Sequence, residues 1–276
     1  MIFYFDERQL RHTPLRELHN GAWTPYAECA DRALGIREAL GTPSPARDFG
    51  MGPIEAVHDA DYLAFLKGAH AAWLAAGREG APTAFALCRP PGHHAGADYL
   101  GGYCYLNNAA IVAQRAHDAG AGPVAILDVD YHHGNGTQDI FEARGDIFFA
   151  SLHADPATDY PYYWGHADET GTGEGKGTTL NIPMPRGTRI DAYLAALDTA
   201  AARITAWGAH FLVVSFGADT FSGDPISHFA IETEDFAAIG ARIAAMGLPT
   251  AIIMEGGYAV GDLGGNVARF LSGFPE

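Results

Sequence analysis

The sequence predicts a three-layer α/β domain built on a mostly parallel sheet, and three observations carry that prediction. Short apolar, β-branched or aromatic runs alternate with Ala-rich segments of helical period, the order of repeated strand–helix–strand units. Several runs are continuously apolar: Val124-Ala125-Ile126-Leu127, Phe211-Leu212-Val213-Val214 and Ala251-Ile252-Ile253-Met254. Parallel strands buried on both faces read this way, whereas a half-exposed sheet alternates. Finally, polar residues gather at the carboxyl ends of these runs, where open α/β sheets hold their ligands.

Taken in order, the first strand is Ile2–Phe5, followed by a helix over 26–40. Gly and Pro then mark a long loop at 41–53 before a second helix over 59–76. A strand at 84–88 leads through a polar loop to a helix at 107–119. Strands at 124–129 and 147–151 follow, and a Gly-rich stretch at 165–187 surrounds a further strand at 178–182. The remainder reads as a helix at 189–207, strand Phe211–Phe216, a helix at 233–246, strand Thr250–Met254 and a last helix near 263–272. No internal repeat, low-complexity tract or domain boundary interrupts this order, so one domain over 1–276 is expected.

Composition narrows the function classes. The chain has 276 residues, with 17 Lys+Arg against 33 Asp+Glu, a formal charge of −16. Counterion-release binding to nucleic acid needs clustered Lys and Arg, so a nucleic-acid surface is excluded, and an anionic membrane is disfavoured equally. A hydrophobic share of 48% is ample for a core and excludes disorder as the main state. The three cysteines (Cys29, Cys88, Cys104) contain no Cys-x-x-Cys pair and imply no disulfide framework. The N-terminal run reaches charge at Asp6, unlike a signal peptide, and no run approaches 18 apolar residues. A cytoplasmic protein is the expectation.

Five strand ends carry polar groups. The first delivers Arg89-Pro90-Pro91-Gly92-His93-His94, the next Asp128-Val129-Asp130-Tyr131-His132-His133-Gly134-Asn135-Gly136. The others deliver Ser151-Leu152-His153, Gly217-Ala218-Asp219 and Glu255-Gly256-Gly257-Tyr258. A shared active site explains five such coincidences better than chance. Asp130 and His132 share a face in an extended segment. With Asp219 they offer one imidazole and two carboxylates, three protein ligands with open positions, as catalytic hydrolytic metals have. Turn caps and a satisfied core histidine are the alternative.

Pro90-Pro91-Gly92 would present His93 and His94 from a rigid turn, as a proton shuttle oriented by Asp128 and Asn135 or as ligands of a second metal. Tyr258 on its glycine turn could donate to an oxyanion or simply pack. Asp128, Ser151 and nearby carbonyls could hold a harder cation. Tyr99, Tyr103, Tyr105, Tyr160, Tyr162, Tyr163 and Trp164 would wall a channel or fill core. The Gly171–Gly177 stretch lacks the Gly-Lys-Ser/Thr ending and precedes a strand, so it is no phosphate loop.

These motifs together resemble the metal-dependent histone deacetylase superfamily. The resemblance rests on Arg89-Pro90-Pro91-Gly92-His93-His94-Ala95, Asp128 to Thr137, Ser151-Leu152-His153 and Glu255-Gly256-Gly257-Tyr258. It runs from about His58 to near the end of the chain. The stretch Ser151 to Pro185, with Asp219-Thr220-Phe221 and Asp224-Pro225, looks most like bacterial acetylpolyamine amidohydrolases and class II-type deacetylases. The resemblance implies an arginase–deacetylase fold and hydrolysis of an N-acetyl amide, such as an acetyl-lysine side chain or an acetylpolyamine. It implies catalytic zinc at Asp130, His132 and Asp219, with iron(II) the alternative in cells. His94 would be general base and then acid, supported by His93; Asp128 would partner His93, Asn135 would stand beside His94, and Tyr258 would bind the oxyanion. Structural potassium would sit at Asp128, Asp130, His132, Ser151 and Leu152, and Gly102, Tyr103 and Tyr160 would wall the acyl tunnel.

Two departures stand out. The bacterial polyamine enzymes carry a long insertion before the strand at 84, which caps the tunnel and forms their dimer; here only Leu74 to Thr83 makes the connection. Ile226 also stands where animal polyamine deacetylases would place a gatekeeper glutamate. Substrate range and oligomeric state are therefore left open by the sequence. A di-manganese ureohydrolase of the same fold would need more Asp and His ligands. A non-catalytic acetyl-lysine binder would show damage in the catalytic set, and none is present.

Overall fold

The computed structural model describes residues 2–19, 22–45, 50–60, 62–63 and 83–275. The connection at 74–82 and most of the helix expected over 59–76 lie outside them. Among the described residues, eight strands form one sheet: β1 (Ile2–Phe5), β4 (Ser44–Pro45), β5 (Thr83–Ala86), β6 (Val124–Asp128), β7 (Ile147–Ala154), β8 (Thr179–Met184), β9 (Phe211–Phe216) and β10 (Thr250–Met254). Their order is β4-β1-β5-β10-β9-β6-β7-β8, with every neighbouring pair parallel. A separate two-stranded sheet pairs β2 (Arg16–His19) antiparallel with β3 (Ala22–Pro25).

The continuous apolar runs are the central strands, and successive residues feed opposite layers. Ala125 and Leu127 of β6 pack in one core cluster while Val124 and Ile126 pack in the other. Each of these four is fully buried, and a Val, Leu or Ile side chain so placed contributes roughly 1.5–3 kcal/mol. The first layer is covered by α1 (Ala30–Leu40), α5 (Ile190–Trp207), α6 (Phe236–Ala244) and α7 (Val260–Ser272), through residues such as Ile36, Leu197, Ile239 and Val267. The opposite layer is covered by α3 (Asn108–Asp118) and α4 (Asn135–Phe141), through Ala109, Ala113 and Phe141. The short α2 (Gly52–Glu55) comes after β4 in the chain.

The differences from the sequence reading have local causes. Strand β7 continues three residues past Ser151, because Leu152 and Ala154 still face core and Leu152 pairs in register with Ile182 of β8. Ser151 is therefore inside its strand, not at its end. Strand β8 runs through Pro183, tolerated because β8 is the sheet's edge and the missing N–H faces no partner strand. Helix α1 begins at Ala30, four residues later than the periodicity predicts, because Glu28 is drawn into a buried ion cluster. Helix α4 is invisible to propensity, since Asn135-Gly136-Thr137 are poor helix formers. Tertiary contact fixes it: a Cβ on Gly136 would meet the Ala95 carbonyl oxygen at 2.3 Å.

Candidate active site

At the carboxyl edge of the sheet, β6, β9 and β10 converge on a buried polar centre. Asp130 and Asp219 are fully buried and His132 nearly so. Each offers one ligand atom, and these atoms lie within 4.8 Å of one another. His132 Nδ1 stands 2.9 Å from Asp219 Oδ2 and 3.3 Å from Asp130 Oδ1. The other oxygens are held by backbone: Gly256 N–H donates to Asp130 Oδ2 at 2.8 Å, and Tyr131 N–H to Asp219 Oδ1 at 2.9 Å.

The electrostatics of this trio fit a cation. Burial and the neighbouring Asp130 charge push the Asp219 carboxyl well above its usual range. Burial opposes charge on His132 too, but the hydrogen bonds and charges of Asp130 and Asp219 lift it to about 10. A divalent ion between these two buried carboxylates would relieve the same repulsion. One nitrogen and two carboxylate oxygens without a closing fourth ligand is the donor set of a catalytic ion.

A second group, His93, Cys104 and Glu255, also has its ligand atoms within 4.8 Å of one another. Its donors are already engaged. Glu255 Oε2 accepts the N–H groups of Gly92 (2.6 Å) and His93 (3.2 Å), and Oε1 accepts the Ser215 hydroxyl (2.8 Å). Burial holds the Cys104 thiol well above its ordinary pKa, and its Sγ donates to the Gly102 carbonyl at 3.3 Å.

Each of the paired histidines has a side-chain partner of its own. His93 Nδ1 lies 3.0 Å from Asp128 Oδ2, and His94 Nδ1 lies 2.7 Å from Asn135 Oδ1. Both partner oxygens are acceptors, so each Nδ1 carries hydrogen, and His94 keeps an unprotonated Nε2 while neutral. The rings are 4.1 Å apart and titrate in opposite directions. On His93 the charges of Asp130 and Asp128 overcome burial and raise the pKa to about 10. On His94 burial comes first, then the charges of His93 and His132, and together they hold it well below 6.5. Shifts in opposite directions on adjacent imidazoles suit an acid/base pair set by environment.

Tyr258 is buried on the loop after β10, and its N–H donates to Asp224 Oδ2 at 2.7 Å. The Arg32 guanidinium lies 4.7 Å from its ring centre. The Tyr103 ring is 5.6 Å from Tyr258, and the Tyr160 ring is 4.8 Å from His94 in edge contact. Gly102 lies directly under His94. Tyr162 and Tyr163 are exposed, so neither is core, while Tyr99 stacks on Trp164 at 6.0 Å.

Ser151 pairs in register with Asp128, and Leu152 sends its side chain into core. His153 Nε2 must donate to the Gly165 carbonyl at 2.9 Å, so its Nδ1 accepts from the Ser151 hydroxyl at 2.8 Å. That leaves the Ser151 oxygen lone pairs free for a cation.

Sequence reasoning gave no role to Glu255, Asp224, Glu28 or Arg32. Glu255 and Asp224 each sit in a motif that was read for other residues. Glu28 and Arg32, four apart on the edge of a helix, look like a surface ion pair.

A profile of the histone deacetylase domain matches residues 68–274. The chain belongs to the histone deacetylase family. It is 42% identical over 338 residues to acetylpolyamine amidohydrolase 1 of Pseudomonas aeruginosa, covering 98% of this chain and 97% of that one. It is also 42% identical to the acetylpolyamine amidohydrolase of Mycoplana ramosa, covering 99% and 98%. Among solved structures, the acetylpolyamine aminohydrolase of Burkholderia pseudomallei superposes with a TM-score of 0.92 at 35% identity, over 99% of this chain and 98% of that one. The 338 aligned positions exceed this chain's 276 residues by 62, so at least that many positions of the Pseudomonas relative face a gap here. Among the described residues no helix is long and apolar enough to cross a membrane.

Proposed function

We propose that this chain is a metal-dependent amidohydrolase that removes acetyl groups from acetylated amines, with residues 1–276 acting as one catalytic domain. The observation that carries the reading is the histidine pair: His93 Nδ1 is held 3.0 Å from Asp128 Oδ2 and His94 Nδ1 2.7 Å from Asn135 Oδ1, both beside the Asp130–His132–Asp219 trio. Zinc, or iron(II) in cells, held by Asp130, His132 and Asp219 would polarise the acetyl carbonyl and make the attacking water more acidic.

The chain's own residues supply the rest. Gly102, Tyr103 and Tyr160 line the acyl tunnel and hold the amide against His94. As water oxygen bonds to the acetyl carbon, His94 Nε2 takes the water proton. The Tyr258 hydroxyl donates to the carbonyl oxygen as negative charge develops there. His94 then returns its proton to the nitrogen as the C–N bond breaks, releasing acetate and a free amine. His93, tied to Asp128, keeps a fixed positive charge beside the reacting centre, and Asn135 fixes the tautomer of His94. Asp128, Asp130, His132, Ser151 and Leu152 would hold a structural potassium, supported by the free lone pairs on Ser151.

Relatives named for acetylpolyamines favour an acetylated polyamine, whereas the 62-position shortfall against one of them favours a wider substrate range. The test compares turnover of acetylated polyamines, free acetyl-lysine and acetyl-lysine peptides by one metal-replete preparation. Release of acetate from at least one class is expected; inertness towards all three overturns the reading.

A further inference from the structure

A cluster of buried charge lies behind the active site, outside the residues that touch substrate. Glu28, Arg32 and Arg89 expose 0%, 2% and 1% of their surface. Arg89 donates from Nε to Glu28 Oε1 at 2.8 Å and from Nη2 to Glu28 Oε2 at 3.0 Å. Arg32 donates from Nη1 to the same Oε1 at 2.9 Å. One carboxylate therefore receives both guanidinium groups.

Each arginine then reaches a different catalytic loop. Arg32 donates from Nη2 to the Glu255 carbonyl and from Nε to the Gly257 carbonyl, which lie on either side of Gly256 in the turn leading to Tyr258. Its guanidinium also covers the Tyr258 ring. Arg89 opens the Arg89–His94 segment that presents both histidines, and it is anchored to the carbonyls of Gln9, His12 and Glu28. Residues far apart in sequence are thus referred to a single point. Unlike surface ion pairs, such a buried group is sensitive to loss of one member, because the remaining charges have no water to turn to.

We infer that Glu28 is a positioning residue for catalysis: through Arg32 and Arg89 its carboxylate sets the Tyr258 loop in register with the His93–His94 loop. This rests on the deacetylase reading above, since it matters only if Tyr258 and His94 act on one amide. A displacement of about 1 Å between such groups can lower the rate on the order of 100-fold without touching substrate affinity.

The experiment is a double-mutant cycle of Glu28→Gln with Tyr258→Phe, read as kcat, KM, bound metal per chain and melting temperature. Wild-type turnover of an acetylated amine is measured first, and its absence sinks the deacetylase reading independently of Glu28. Given that activity, Glu28→Gln should lower kcat about 100-fold with KM and metal content unchanged, and should cost less than about 3-fold in the Tyr258→Phe background. A purely structural role predicts equal costs in both backgrounds; that result, or an unchanged kcat, overturns the inference. If Glu28→Gln does not fold, Glu28→Asp, which keeps the charge but shortens its reach, is carried through the same cycle and judged by the same coupling.

Discussion

Gly102 faces the ring of His94 so closely that a β-carbon on it would lie 2.2 Å from the imidazole Cδ2. The residue also sits at φ +49, a left-handed conformation that side chains adopt reluctantly. Backbone and ring compete for one space, and only glycine yields it. Gly102→Ala must therefore displace either the loop or the proposed general base. Turnover should fall on the order of 100-fold, with bound metal retained because Asp130, His132 and Asp219 lie on other segments. A variant with near-wild-type kcat would show that His94 tolerates displacement.

His94 and Tyr258 have separable duties. His94→Ala removes the only proposed proton carrier, and Tyr258→Phe removes one hydroxyl while keeping the ring beneath Arg32. Each should cost roughly 100-fold or more in kcat, the range for a general base or an oxyanion donor. Metal content, measured by elemental analysis, should stay at the wild-type level. Near-wild-type rates in either variant would contradict the proposed roles.

Asp219 is the proposed ligand that the other two cannot replace, because it alone reaches the site from β9. Asp219→Ala should lose the ion and activity together, and dialysis against a chelator should reproduce that loss in wild type until zinc is restored. One catalytic ion per chain is expected in addition to potassium. Two tightly held manganese ions would point to ureohydrolase chemistry instead.

The polar carboxyl edge of the sheet was legible because most of its motifs abut a continuous apolar run, so that Asp128 or Asp219 could be placed at or just past a strand end from pattern alone, whereas Ser151 lies inside its strand. The Glu28–Arg32 pair was not, since an i,i+4 ion pair carries no mark of the depth at which it is buried. Helix α4 escaped for the opposite reason: its residues resist helix, and contact with Ala95 decides the matter. Local pattern thus reports which residues border the core, while the bracing behind the site depends on contacts between residues distant in sequence.

That bracing includes a titratable group with a calculable effect on stability. His58 Nδ1–H donates to the Gly96 carbonyl at 2.9 Å, and its Nε2 accepts the Asn107 N–H at 2.9 Å. Asn107 in turn holds the Ala95 carbonyl through its Nδ2 at 2.9 Å, next to His93 and His94 in sequence. This neutral tautomer is enforced by burial, which depresses the pKa from 6.5 to about 4. A depressed histidine pKa means that the unfolded chain takes up the proton first. Stability from this group is thus complete above pH 6.5 and drains away as pH falls towards 4, by about 3 kcal/mol. Burial depresses His153 to about 4 as well, in the same direction. Urea unfolding at pH 7 and pH 4.5 should expose the loss as a lower midpoint in acid. Glu and Asp also titrate in that interval, so the decisive comparison is His58→Gln, whose amide can serve both partners without ionising. Its midpoint should fall less between the two pH values than that of wild type, and an equal fall in both proteins would remove His58 from the acid response.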